Sequence, residues 1–161
     1  MFVNEEERKG EIHLMYKKLM IGVKKYSAFI VIACLLVFVS YQLVYTASFL
    51  PNGFDIEVTQ NDRVNVKVLN LIGVEKEVKT ITFSEKDIWK MDEIIYAIDR
   101  QKESLVLLFS FVSISGFLLL YKLIQRTKLW KAVLQSNIIF SVLFPLIPLI
   151  SNVNRIKDLI Y

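Results

Sequence analysis

His13 and Cys34 are the one histidine and the one cysteine of this 161-residue chain. General-base catalysis, thiol nucleophiles and imidazole- or thiolate-bound metals draw on these residue types, and metal sites need them clustered. One of each excludes a site built from clustered His or Cys ligands, so no metal is expected. His13 reads as a partly solvated residue on a helix face. Cys34 forms no intrachain disulfide and reads as a small lipid- or helix-facing side chain. Asp92 with Glu93, and Glu75 with Glu77, are the carboxylate pairs that could share acid–base work of the glycosidase kind. They are spread among lysines in a segment too small to promise a substrate cleft. There is no Gly-x-Ser-x-Gly, His-Glu-x-x-His or phosphate-cradling Gly-rich loop. The chain is therefore not expected to be an enzyme or to carry a cofactor.

The remaining polar candidates are neutral and sit inside three charge-free apolar stretches, 26–54, 104–121 and 132–154. Ion-coupled transport usually uses intramembrane charges, and these stretches contain none. Ser110, Ser113 and Gly116 share one helix face at spacing three, a pattern that lets helices approach closely. Gln135 and Asn137 can hydrogen-bond across helices. Pro145 and Pro148 each remove a helix donor and are expected to kink the third stretch, freeing carbonyls that need partners. Helix packing is the expected role of this polar seam; lining a conduction path is the competing one.

Length makes these stretches spanning helices. About 20 apolar residues cross roughly 30 Å of hydrocarbon. The second stretch has 18 uncharged residues and can extend if Lys122 snorkels. Soluble helices show a polar face, whereas 28–39 and 105–120 are interrupted by Cys and Ser alone. The expected division is 1–25 cytoplasmic segment, 26–50 first span, 51–103 extracytoplasmic module, 104–124 second span, 125–131 basic loop, 132–151 third span and 152–161 tail. The first span reads as an uncleaved anchor: the small residues Thr46-Ala47-Ser48 follow an apolar core longer than the 7–15 residues of a signal peptide.

Charge sets the orientation. Lys17, Lys18, Lys24 and Lys25 precede the first span, and Lys122, Arg126, Lys128 and Lys131 join the second to the third without an acid. Placing both inside leaves ten basic residues on each side, so density, not the total, decides. The N-terminus is expected in the cytoplasm and the C-terminus outside, with Tyr121 and Trp130 as inner interfacial anchors. The segment 11–25 reads as a basic amphipathic helix. Its apolar stripe is Ile12, Met15, Tyr16, Leu19 and Val23, and its lysines meet anionic headgroups of the bilayer. It serves as a topology anchor or as a dock for lipid or partner, and Gly22 offers a bend. A net charge of +4 is too small to suggest nucleic acid.

Outside, Phe54, Ile56 and Val58 alternate with polar residues, as do Val64, Val66 and Val68. Period two predicts strands, with a hairpin at 60–62. A third, less regular run covers 77–83. Ser84 and Asp87 resemble a capping box, and Ile88, Met91, Ile94, Ile95 and Ile98 form the apolar stripe of a following helix. Glu85 and Lys86 stand on its polar face. No Pro or Gly separates 85 from 115, so nothing in the sequence bars that helix from continuing into the second span, and its continuity stays open. Trp89 lies off the stripe, either covering the sheet edge or meeting a partner.

The fold class expected is an α-helical integral membrane protein with three transmembrane helices and a small α+β (β-β-β-α) extracytoplasmic module between helices 1 and 2. The function expected is non-enzymatic binding in the cell membrane, as an accessory subunit, regulator or immunity-type protein. A membrane-protein partner or a homo-oligomer is implied. An oligomeric channel, holin-like or transporter component is the alternative, and a membrane-bound hydrolase or transferase comes third. The Lys-, Ile- and Asn-rich composition is bacterial in style.

Overall fold

The computed structural model describes residues 5–59, 63–84 and 87–161. They form α1 (Glu5–Tyr45), β1 (Phe54–Thr59), β2 (Arg63–Leu69), β3 (Glu75–Thr82), α2 (Ile88–Ile124), α3 (Leu129–Ser136) and α4 (Ile138–Ile160). Three helical segments are long and apolar enough to cross a membrane: Tyr26–Tyr45, Ile88–Ile124 and Ile138–Ile160. The protein is thus mostly helical and membrane-associated, with a small three-stranded sheet. The chain divides into two units, Met1–Leu35 and Leu36–Tyr161.

In the first unit the helix passes through Gly22 without a break. Met15, Tyr16, Leu19 and Val23 of the expected stripe are all exposed. The side chains of Ile12, Lys18 and Lys25 lie outside the described residues, as do the expected hairpin turn at 60–62 and Glu85 and Lys86.

In the second unit the sheet is antiparallel in the order β1-β2-β3. Phe54, Ile56 and Val58 pair with Val68, Val66 and Val64, which puts the two alternating sets on one face. The third run is irregular for a reason. Glu77 pairs with Val68 and Glu75 with Leu69, so Lys76 is the extra residue of a β-bulge. The core joins Phe54, Val64 and Val66 to Ile94, Ala97 and Ile98 of α2. Met91 packs at its margin, whereas Ile88, also on the expected stripe, remains 42% exposed.

The structure settles what the sequence left open: α2 runs unbroken from the module into the apolar stretch. Its 37 residues rise about 55 Å, well beyond a hydrocarbon core of roughly 30 Å. Its N-terminal part, through Ile94, Ala97, Ile98 and Gln101, is the scaffold on which the sheet sits. The helix begins at Ile88, not at Ser84. The capping box does not form: the Ser84 hydroxyl donates to the Asp87 carboxylate at 3.1 Å, and no side chain caps the first turn. Asp is a methylene shorter than the Glu or Gln of that motif, and here it is engaged by Ser84 and Lys90.

The third apolar stretch departs most from expectation. A single helix over 132–151 is replaced by α3 and α4, separated at Asn137 with φ 54° and ψ 24°. Asn tolerates this left-handed conformation better than most residues because its short side chain is polar and unbranched at Cβ. Both prolines stand inside α4, so the interruption falls at the asparagine, not at either proline. The expected tail at 152–161 is the last part of α4, and Ile156 is fully buried in the module core.

Contacts between α2 and α4 define an antiparallel pair. Asn152 donates to Ser104 at 3.3 Å, Phe111 lies 6.5 Å from Phe144 between ring centroids, and Ser115 hydrogen-bonds Ser141. One residue number rises as its partner's falls. The Ser104–Asn152 bond marks the level at which both helices leave their charge-free runs.

Candidate binding cleft

A cleft of about 810 Å³ opens where α4 leaves this charge-free layer. Three pieces of chain wall it: the link at 51–54, the turn at 70–72 with Lys76 of β3, and α4 from Leu149 to Lys157. The turn is built by Asn70. Its Oδ1 accepts from the backbone N–H of Ile72 at 2.9 Å and of Val74 at 3.0 Å. Gly73 completes the turn at φ +76°, where an L side chain is strained, and a Cβ there would also meet Phe49 at 3.1 Å. The link is tied to the turn by Asn52 N–H to Asn70 O at 2.9 Å.

The other end of the link is clamped by a buried amide. Gly53 O accepts from Leu69 N–H at 2.9 Å, which makes Phe54 and Val68 a non-hydrogen-bonded pair of the ladder. The Phe54 N–H and C=O therefore face the open edge of the sheet. Gln101, fully buried on α2, satisfies both: its Oε1 accepts from Phe54 N–H at 3.1 Å and its Nε2 donates to Phe54 O at 3.2 Å. It takes the place of a fourth strand's residue and covers an edge that would otherwise be open. A Cβ at Gly53 would come within 2.5 Å of Gln101 Nε2, so any larger residue must displace the amide from its two bonds. Lys102 adds a half-buried ion pair to Asp55 at 2.7 Å.

Ion pairs also fix the end of α4 and the outer face of the sheet. Arg155 reaches Glu93 of α2 at 2.6 Å, and the Lys79 ammonium lies 3.1 Å from the Tyr161 ring centroid. On the outer sheet face Lys67 bridges Glu57 and Glu75, and these two carboxylates, Glu57 above all, hold its ammonium above the usual lysine pKa.

The cleft lining has two characters. Pro51, Leu71, Ile72, Leu149, Ile150 and Val153 are apolar, and Leu71 and Ile72 are more than 70% exposed. Asn52, Asn70, Asn154, Lys76 and Lys157 are the polar groups. Neither lysine is in an ion pair among the described residues. The lining contains no carboxylate, hydroxyl, thiol or imidazole side chain. It can hold a ligand by donor hydrogen bonds, positive charge and apolar contact.

None of the site residues expected from sequence lines this cleft. Lys17 and Lys24 are exposed on α1; Arg126, Lys128, Trp130 and Lys131 are exposed between α2 and α3 or on α3. The expected seam comes together only in part. Among the described residues, the buried Ser110 hydroxyl has no partner, Ser113 is half-buried, and a Cβ at Gly116 would meet nothing within 4 Å. Besides the Arg155–Glu93 ion pair, Ser104 with Asn152 and Ser115 with Ser141 make polar contacts between α2 and α4. Gln135 and Asn137 are exposed, Pro145 is buried and Pro148 is exposed. Trp89 is 57% exposed, with the Lys90 ammonium 5.6 Å from its ring centroid.

Sequence reasoning missed the cleft because its walls are far apart in the chain and meet through the bulge, the Asn70 turn and the end of α4. The Pro51-Asn52-Gly53 and Asn70–Gly73 turn signals were the available hints. No family model matches the chain, and neither a curated protein nor a solved structure gives a match.

Proposed function

We propose that this is a multi-pass cell-membrane protein that acts by binding, with the cleft between the sheet module and the end of α4 as its ligand seat. The N-terminus and the 125–131 loop lie in the cytoplasm in this reading, and the sheet and the C-terminus lie outside. It serves as an accessory subunit, a regulator or an immunity-type protein. The observation that carries the reading is the composition of the cleft: amide and ammonium donors over an apolar floor, without a base or hydroxyl nucleophile beside them. The clamp at Gln101 and the Arg155–Glu93 pair support it, since both hold the walls in a fixed arrangement before any ligand arrives. Exposed Trp89 offers a second surface for a protein partner.

A photoreactive amino acid at Ile72, on the cleft rim, tests this in cells of the native host. The control is the same group at Thr80, which hydrogen-bonds Asn65 on the opposite sheet face. A specific adduct at position 72 that is absent at position 80 is expected. No adduct at 72, or equal adducts at both, would contradict the cleft as the seat.

A further inference from the structure

We propose that the cleft holds one anionic phospholipid, its phosphate between Lys76 and Lys157 and its upper acyl chains against Leu149 and Ile150. This rests on the cleft being the ligand seat. The Ser104–Asn152 bond sets the level of the membrane boundary. Leu149 and Ile150 lie on the apolar side of that level, and Asn154 and Lys157 lie beyond it. Leu149 to Lys157 spans about 12 Å of helix rise, enough to reach from the last acyl carbons through the interfacial layer. A ligand filling this cleft meets apolar wall at one end and positive charge at the other, which is the polarity of a phospholipid and not of a soluble anion.

The charge is placed on purpose by the backbone. Lys76 is the unpaired residue of the β-bulge, and a bulge re-aims the side chain it carries. Both cleft lysines are exposed and outside any ion pair among the described residues, unlike Lys67, Lys90 and Lys102 of the same module. Asn52, Asn70 and Asn154 supply neutral donors for phosphodiester and ester oxygens. Leu71 and Ile72, 73% and 72% exposed, stand beside the seat where acyl chains would cover them.

The test is native mass spectrometry of the full chain in nanodiscs of phosphatidylcholine containing a minor share of phosphatidylglycerol. The parent protein is expected to retain one phosphatidylglycerol in preference to phosphatidylcholine. Lys76→Gln with Lys157→Gln removes two exposed charges without touching the core and should weaken retention roughly thirtyfold, the worth of two lysine–lipid contacts. Lys128→Gln with Lys131→Gln, the same charge change on the opposite side, should leave retention as it was. Equal retention in all three proteins, equal retention of the zwitterionic lipid, or displacement of the lipid by inorganic phosphate alone would each overturn the proposal. A protein adduct at position 72 with no lipid retained would also overturn it, while leaving the cleft as a binding seat intact.

Discussion

Gln101→Leu isolates the contact that fixes the sheet to its scaffold helix. The side chain is fully buried and makes two hydrogen bonds to the backbone of Phe54, itself 2% exposed. Leucine has similar volume but leaves the Phe54 N–H and C=O without partners. Each buried group so stranded costs roughly 1–3 kcal/mol, so the variant should lose about 2–6 kcal/mol. Unfolding of detergent-solubilised protein, followed by the fluorescence of Trp89 and Trp130, measures the loss. Gln101→Glu is more diagnostic. A neutral carboxyl can accept from Phe54 N–H and donate to Phe54 O, whereas a buried carboxylate cannot donate and carries an unpaired charge. Its folded-state pKa should therefore rise above the ordinary value of about 4.3. The folded state then binds the proton more tightly than the unfolded one. Stability is fully present below the ordinary pKa and falls as pH rises through the raised one. Gly53→Ala tests the same site from the other side, because its Cβ would sit 2.5 Å from Gln101 Nε2. Most of its cost should vanish in a Gln101→Ala background, a coupling of about 1 kcal/mol or more. Stability of Gln101→Leu within about 0.5 kcal/mol of the parent, the size of an ordinary surface substitution, would refute the clamp. So would a flat pH profile for Gln101→Glu.

Three further expectations concern other parts of the chain. Ser110→Ala removes a buried hydroxyl that has no partner and should be neutral or stabilising by up to about 1 kcal/mol, whereas Ser115→Ala strands Ser141 and should cost about 0.6 kcal/mol in the same unfolding assay. Arg126 ends α2 at φ 60°, with Arg126 N–H on Leu123 O and Thr127 N–H on Lys122 O as in a Schellman motif. Arg126→Gly should gain about 1 kcal/mol and Arg126→Ala should not, since alanine retains the Cβ that opposes this conformation. Hydrogen bonds from Lys90 and then Ser84 hold the Asp87 carboxyl below its ordinary pKa. Its stabilisation is present above the ordinary carboxylate range and is lost as pH falls through the lowered value. Carboxyl NMR of Lys90→Gln should show the Asp87 pKa moving back up.

Periodicity made most of the elements legible. Alternating Phe54, Ile56 and Val58 and alternating Val64, Val66 and Val68 became paired strands because one face of each had to be buried. The absence of Pro and Gly between 85 and 115 allowed one helix without requiring it, and the continuity of α2 came from the structure. Local signals failed where a tertiary contact decided the outcome. Hydropathy did not separate α3 from α4, since the interruption is one left-handed asparagine within a charge-free run. The tail looked polar because Asn152, Asn154, Arg155, Lys157 and Asp158 crowd it, yet Ile156 alternates into the module core and Arg155 is held by Glu93. The small-residue spacing at 110, 113 and 116 suggested a packing face, but the helix contacts formed through Ser104 and Ser115. Gln101 gave no signal at all; its role depends on an edge strand from 47 residues earlier in the chain.

In the proposed topology the chain crosses the membrane three times and carries the sheet module and the end of α4 on the same, outer side. Single cysteines at Thr80, Lys157 and Lys128, each exposed, in a Cys34→Ala background test it directly with a membrane-impermeant thiol reagent on intact cells. Labelling at 80 and 157, with 128 reacting only after the membrane is permeabilised, is the predicted result. Labelling of 128 in intact cells, or of 80 and 157 from opposite sides, would contradict it.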